Sequence, residues 1–220
     1  MNKQISKENI QKFIDTIKPL YPNLKFLIQM EVIQWCMEDL SFLGIEEEMQ
    51  KIKQGKKQGK TTKKELSNVQ KKLEDIWGRK ITKKRKNWTT SLSETLCEEI
   101  YTVMNEEIKR PKKPRKHLKK PDREIKDAII EVKSGTYFTE GTAYDKIYSV
   151  PLLYVPDLPE WNKKLIILVV AKAEKYCLEQ GLLGENMVPS RKKYLDLFKQ
   201  DKCEFVGFSD LLSEQIQKYM

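Results

Sequence analysis

The chain has few of the residues that mark secreted, zinc-binding or membrane-spanning proteins. Its only cysteines are Cys36, Cys97, Cys177 and Cys203, and no two form a C-x-x-C pair, which argues against a zinc knuckle or a disulfide scaffold. We therefore expect reduced cysteines in an intracellular protein. The longest apolar stretch, Leu165–Ala171, is too short to cross a bilayer, and the first residues lack the apolar core of a signal peptide.

Glycine and proline are also scarce, with nine of each in 220 residues, which excludes collagenous and low-complexity classes. Positive charge is abundant: the chain carries a net +10. Residues 51–87 sum to +12 and residues 108–120 to +8, so the other 170 residues sum to −10. This segregation is typical of proteins that bind polyphosphates, because each neutralised phosphate releases counterions.

The same charge segregation is compatible with less specific roles. A lysine run is often only a solvated face, and residues 112–120 also resemble a nuclear localisation signal. An anionic membrane surface is the weaker alternative, because the sequence shows no basic amphipathic helix with an aromatic face. We predict a nucleic-acid partner and no membrane association.

The pattern of apolar residues predicts a basic helical lobe over residues 1–80, an accessory or DNA-binding unit, followed by an α/β core over residues 81–220. In the lobe, Ser6 is predicted to cap the first helix, a second helix to run from about Leu24 to Leu40, and a third to begin at Thr61 or Thr62. In the core, a helix is predicted to begin at Ser91 or Ser93. Strands are predicted at Ala128–Lys133, Leu165–Ala171 and Cys203–Phe208, and helices at Thr142–Tyr148, Ala173–Gln180, Arg191–Lys199 and Ser209–Lys218. This alternation favours a mixed central sheet flanked by helices.

One strand carries residues with catalytic chemistry. Glu131 and Lys133 are two positions apart on an apolar strand, so their side chains share one face. Asp122 lies nine residues earlier, and a hairpin over residues 124–126 would return it beside Glu131. Two carboxylates and an amine would then meet next to the most basic part of the chain. An ordinary solvated hairpin with an incidental ion pair is the structural alternative.

This set of groups suits phosphodiester hydrolysis. Two carboxylates can hold Mg²⁺, which prefers oxygen ligands and keeps several waters. The metal polarises the phosphate and lowers the pKa of a bound water. A nearby lysine can orient or deprotonate that water, or neutralise charge in the transition state.

The spacing P-D-x8-E-V-K, from Pro121 to Lys133, resembles the active-site motif of the PD-(D/E)xK nuclease superfamily. The continuation through Gly141-Thr142-Ala143-Tyr144-Asp145-Lys146 is similar to the E-V-K…T-x-G-T-A-x-E-K pattern of a group of type II restriction-type endonucleases from bacteria and large DNA viruses. Asp145 and Tyr144 depart from that pattern, where Glu and Gly are usual. The resemblance covers about Trp88–Tyr176, including Val150-Pro151 and Tyr154, and implies a restriction-endonuclease-like core.

The resemblance also implies roles for individual residues. Asp122, Glu131 and Lys133 match the catalytic residues, and Asp122 and Glu131 match the metal-binding acids. Val132 would add its backbone carbonyl, and Glu94 matches an accessory acid that some members direct at the metal, although it is equally compatible with an ordinary exposed helix residue. Gly141 and Thr142 match a helix start whose N–H groups suit a phosphate, as would a purely structural helix start.

We predict DNA contacts from the basic segments and from the helix start after the motif. The residues are Lys83, Lys84, Arg85, Lys86, Lys112, Lys113, Arg115, Lys116, His117, Lys119, Lys120, Thr142 and Lys146. The four tryptophans are more typical of core positions than of base-stacking platforms. Trp88, beside the basic run that ends at Lys86, is the one that we would test for DNA contact.

The resemblance implies a Mg²⁺-dependent, sequence-specific double-stranded DNA endonuclease of the type II restriction kind, leaving 5′-phosphate and 3′-hydroxyl ends. A palindromic site suggests a homodimer, and a methyltransferase that protects the same site is a further expected partner. The alternatives are a structure-specific or repair nuclease of the same superfamily, and a nucleic-acid-binding protein without catalysis.

Overall fold

A computed structural model describes residues 5–54, 62–138, 145–184 and 189–220. The described part of the chain is a mixed α/β fold in which helices flank a four-stranded sheet. Its helices are α1 (Lys7–Leu20), α2 (Met30–Cys36), α3 (Ile45–Gln54), α4 (Lys63–Thr82), α5 (Trp88–Val103), α6 (Asp145–Tyr154), α7 (Leu158–Trp161), α8 (Lys172–Glu179), α9 (Pro189–Gln200) and α10 (Phe208–Lys218). Its strands are β1 (Arg123–Glu124), β2 (Ala128–Gly135), β3 (Lys164–Ala171) and β4 (Cys203–Gly207).

The sheet has the order β1-β2-β3-β4, with β2, β3 and β4 parallel and β1 antiparallel at one edge. Both faces are covered, which is why the central strand β3 is apolar along nearly its whole length rather than alternating. Ile130, Val132 and Leu168 belong to the core under α1, α2, α5 and α10. Ile129 and Ile167 belong to a second core under α6 to α9. The predicted mixed, helix-flanked sheet is confirmed.

The first predicted helix is confirmed, and the second is wrong in extent. The Ser6 hydroxyl accepts a hydrogen bond from Asn9 N–H at 3.2 Å and caps α1. No helix begins at Leu24, because the carboxylate of buried Glu99 accepts hydrogen bonds from the N–H groups of residues 25–27 at 2.6, 3.0 and 2.7 Å. Helix α2 begins only at Met30. A tertiary contact from α5 therefore replaces a helical turn that the apolar pattern favours.

The other elements agree more closely with the predictions. Thr62 forms a capping box with Glu65 at the start of α4, as expected for one of the two candidate threonines. Helix α5 begins at Trp88, after Asn87, rather than at a later serine. Ser93 lies inside the helix, where its hydroxyl donates to the carbonyl of Thr89 at 2.7 Å. The three predicted strands are present with shifts of one or two residues. Helix α6 begins at Asp145; the predicted start at Thr142 lies outside the described residues.

Residues of the N-terminal lobe share one continuous hydrophobic core with the sheet. Trp35, Trp77 and Trp88 pack with ring centroids 5.7–5.9 Å apart. Glu74, itself buried, accepts hydrogen bonds from Trp35 Nε1 and from Tyr137 N–H, both at 2.9 Å. The lobe is thus fastened to the end of β2, and the boundary near residue 80 stays a prediction.

The tryptophans and cysteines are core residues. Trp88 is only 4% exposed and donates to Asp75, so burial rules out the stacking contact with DNA that its basic neighbours suggested. The four cysteines are free and buried, and burial raises the pKa of the Cys177 and Cys203 thiols to about 12. None of the helices that the structure describes combines the length and apolar composition needed to span a membrane.

Candidate active site

The hairpin of β1 and β2 brings Asp122 to Glu131, as its sequence position predicts. Arg123 pairs with Ile130 and Glu124 with Ile129, so the register places Asp122 opposite Glu131. The Asp122 Oδ2 atom accepts a hydrogen bond from the N–H of Val132 at 2.8 Å. The carboxylate of Asp122 therefore lies against the backbone between Glu131 and Lys133.

Pro121 cannot donate a backbone hydrogen bond to the neighbouring strand. Extended two residues beyond β1, the register would put Pro121 opposite Val132, and proline has no N–H to donate to the Val132 carbonyl. In an antiparallel pair, the N–H and C=O of one residue point to the same side. Because the Val132 N–H is directed at Asp122, the Val132 carbonyl faces the same edge. The P-D dipeptide thus supplies a carboxylate and leaves a strand carbonyl unpaired by β1.

Glu131 is held by two donors from different parts of the chain. Lys133 Nζ lies 2.5 Å from Glu131 Oε1, and the Tyr154 hydroxyl of α6 donates to Glu131 Oε2 at 2.8 Å. The Glu131 and Lys133 side chains are 14% and 24% exposed. Burial raises the pKa of Glu131, Asp122 raises it further by like-charge repulsion, and Lys133 opposes both. An added cation would relieve this repulsion.

Arg123 supports the backbone of Asp122 from the other face of the sheet. Its guanidinium is 4% exposed and donates to the Asp122 carbonyl oxygen at 2.6 Å. It is neutralised by Glu94 at 3.1 Å and by Glu98 at 2.6 Å, the second contact lacking hydrogen-bond geometry. Glu94, the candidate accessory metal ligand, is thus engaged by Arg123, and its role at a metal stays a prediction.

The donor set fits a magnesium ion that keeps most of its waters. Across the described residues, no three His, Cys, Asp or Glu side chains are grouped so as to hold a metal. The available oxygens are those of Asp122 and Glu131 with the Val132 carbonyl. Mg²⁺ is commonly bound by one or two carboxylates with water completing its shell, so a site of this composition suits it better than zinc.

The basic segment at residues 112–120 lies next to this corner. Leu118 anchors it in the core under α6 and α7, and Arg115 forms an ion pair with Glu160 at 3.2 Å. The Tyr154 hydroxyl is also 3.2 Å from the carbonyl oxygen of Lys120. The predicted contact residues of this segment are exposed: Lys112, Lys113, Arg115, Lys116, His117, Lys119 and Lys120.

The remaining predicted contact residues have different positions. Residues 83–86 are exposed in the connection between α4 and α5. Lys146 is exposed on the first turn of α6. Thr142 lies outside the described residues. All these DNA contacts stay predictions.

Sequence reasoning gave no role to Arg123 or Tyr154, although both hold the site. A signal for Tyr154 was present, because Ile147, Val150 and Tyr154 recur at helical spacing on the buried side of α6. A buried tyrosine usually finds a hydrogen-bond partner for its hydroxyl. The partner itself lies 23 residues away along the chain and only the tertiary structure identifies it.

The chain was compared with protein-family models, with curated proteins and with solved structures. No family model, curated protein or solved structure matches it. Any assignment of function to this site therefore depends on its residues and their geometry.

Proposed function

We propose that the protein is a Mg²⁺-dependent endonuclease that hydrolyses double-stranded DNA, and that it belongs to the PD-(D/E)xK superfamily with a restriction-endonuclease-like core. The observation that carries the proposal is the hydrogen bond from Val132 N–H to Asp122. It places one carboxylate against the strand that bears the second carboxylate and the lysine.

Asp122, Glu131 and the Val132 carbonyl would hold the metal. When bound, Mg²⁺ polarises the scissile phosphate and makes a bound water more acidic. The Lys133 ammonium, now paired with Glu131, would orient the attacking water or neutralise charge that develops on the phosphoryl oxygens. Arg123 keeps the backbone of Asp122 in place.

The basic segment at residues 112–120 would bind the DNA backbone beside these groups. Phosphate contacts of this kind set the position of the duplex without reading its sequence. The segment reaches Tyr154, which is itself bonded to Glu131. A phosphate held by the segment would therefore lie close to the proposed catalytic groups.

The finer proposal is a type II restriction-like enzyme. It would cut at a short specific site, leave 5′-phosphate and 3′-hydroxyl ends, and act as a homodimer whose two-fold symmetry matches that of a palindromic site. A methyltransferase that modifies the same site would protect the host DNA. We also propose an intracellular location, where DNA is available.

The decisive experiment is digestion of unmethylated genomic DNA with and without Mg²⁺, followed by sequencing of the ends. Wild-type protein should cut only with the metal, whereas Lys133→Ala should still bind DNA and leave it uncut. Lys126→Ala, an exposed lysine in the turn between β1 and β2, is the matched control and should cut normally. Intact DNA with wild-type protein and Mg²⁺ would contradict the proposal.

Two other outcomes identify the alternatives. Cleavage that follows a DNA structure rather than one sequence would indicate a structure-specific or repair nuclease. Metal-independent binding without cleavage would indicate a nucleic-acid-binding protein.

A further inference from the structure

The Tyr154 hydroxyl joins three parts of the molecule at one point. The residue ends α6 and is 4% exposed. Its oxygen is 2.8 Å from Glu131 Oε2 on β2 and 3.2 Å from the carbonyl oxygen of Lys120, at the end of the basic segment. This oxygen therefore contacts both a proposed metal ligand and the segment proposed to bind DNA.

The two contacts are not equivalent. A phenol has one proton to donate, and a carboxylate is a stronger acceptor than a carbonyl oxygen. The shorter distance to Glu131 agrees with donation to that carboxylate. Since Lys133 contacts the other oxygen of Glu131, the two donors together fix the plane of the carboxylate.

We propose that Tyr154 is a positioning residue that sets the orientation of the Glu131 carboxylate for the divalent cation. The proposal rests on the proposed nuclease function. The aromatic ring fills the core beneath α6, and phenylalanine would fill the same space. The hydroxyl supplies the orientation, so removing its oxygen atom alone separates positioning from packing.

The test compares Tyr154→Phe with wild type and with Tyr148→Phe. Tyr148 lies on the same helix but is 37% exposed and makes an edge contact with Tyr176, so Tyr148→Phe controls for loss of a tyrosine hydroxyl from α6. Three quantities are measured: the rate of plasmid cleavage against Mg²⁺ concentration, Mg²⁺ binding to the free protein by calorimetry, and affinity for a short duplex in EDTA.

We expect Tyr154→Phe to weaken Mg²⁺ binding and to slow cleavage by about 10- to 100-fold, the usual loss when a partner of a metal ligand is removed. The half-saturating Mg²⁺ concentration should rise, whereas duplex affinity in EDTA and the thermal unfolding midpoint should stay close to wild type. Tyr148→Phe should match wild type throughout.

Three results would overturn the proposal, and each has a distinct meaning. Tyr154→Phe that binds Mg²⁺ and cuts like wild type shows that the hydroxyl positions nothing. A loss of duplex affinity and of thermal stability in parallel with cleavage shows a purely structural role. Wild-type protein that neither binds Mg²⁺ nor cuts any DNA removes the nuclease function as well.

Discussion

Glu131 is half-buried and Glu174 is buried, and their surroundings differ in kind. Glu174 is 4% exposed and accepts hydrogen bonds from the N–H and hydroxyl of Ser209, at the start of α10. Among the described residues it has no ion-pair partner. Glu131 contacts a lysine and a tyrosine and lies near a second carboxylate.

On the proposed function, this difference separates Glu174, a structural carboxylate, from Glu131, a carboxylate of the active site. Glu174 acts as a helix cap, because the residue before α10 is Gly207 and has no side chain to offer. Nothing in that arrangement calls for a ligand. At Glu131, like-charge repulsion from Asp122 is opposed by Lys133 and by the hydrogen bond from Tyr154, and the proposed divalent cation would oppose it further.

The largest expected effect is on activity. Glu131→Gln keeps the size of the side chain but removes its charge, so cleavage should fall by about two to three orders of magnitude, as when a charge-stabilising group is lost. Glu174→Gln should retain wild-type cleavage, measured as plasmid nicking at saturating Mg²⁺. Equal cleavage by Glu131→Gln and wild type would remove Glu131 from the proposed active site.

The second effect concerns stability and pH. Burial raises the pKa of Glu174 from its usual 4.5 to about 7, so the folded state binds more protons than the unfolded state between these values. Stability should therefore fall as the pH rises from about 4.5 to about 7, by about 3 kcal/mol in total from this residue, and stay level above pH 7.

Glu174→Gln checks this by denaturant unfolding at several pH values. Glutamine accepts the same hydrogen bond from Ser209 N–H but does not titrate. The stability of the variant should therefore change little between pH 4.5 and 7. A variant whose stability still falls as steeply as that of wild type would assign the pH dependence to another group.

A third effect tests the packing of α4, in the N-terminal lobe, on α5. A methyl group added at Gly78 would lie 2.3 Å from the Trp88 ring, so Gly78→Ala should cost about 1–3 kcal/mol of unfolding free energy. Ile76→Ala, at a 52% exposed position of the same helix, should cost less than Gly78→Ala. Urea unfolding measures the free energy of unfolding of both variants. An equal loss in the two would show that the Trp88 ring can move away from residue 78 without penalty.

The smallest effect is on DNA affinity. Replacing Lys116 and Lys119 with alanine should weaken duplex binding and reduce the slope of log affinity against log salt by up to about two, roughly one per lost phosphate contact. Replacing Lys18 and Lys25, which are also exposed but lie in the N-terminal lobe, should leave the slope nearly unchanged. Anisotropy titrations at several salt concentrations measure the slope for each double variant. Identical slopes for the Lys116/Lys119 variant and wild type would exclude the basic segment as a contact surface.

Much of the fold could be predicted because local chemistry specifies it. Ser6 and Thr62 cap helices, and each precedes a segment whose apolar residues recur at helical spacing. The apolar runs form the three parallel strands. The prediction failed between Leu24 and Met30. The apolar residues there have helical spacing, but the buried carboxylate of Glu99 accepts hydrogen bonds from backbone N–H groups and no helix forms. That contact joins residues more than 70 positions apart, and no local pattern encodes it.

By itself, the sequence determined that Glu131 and Lys133 share a strand face and that Asp122 can return to them, because the two-residue period and a short hairpin are local properties. Tertiary structure alone decided what surrounds them: Tyr154 on Glu131, Arg123 beneath Asp122, and Glu94 on Arg123. Glu94 comes from α5 and Tyr154 from α6, and their approach depends on how each helix packs on the sheet. Packing depends on the shape of the whole core and is not readable from the spacing of a motif.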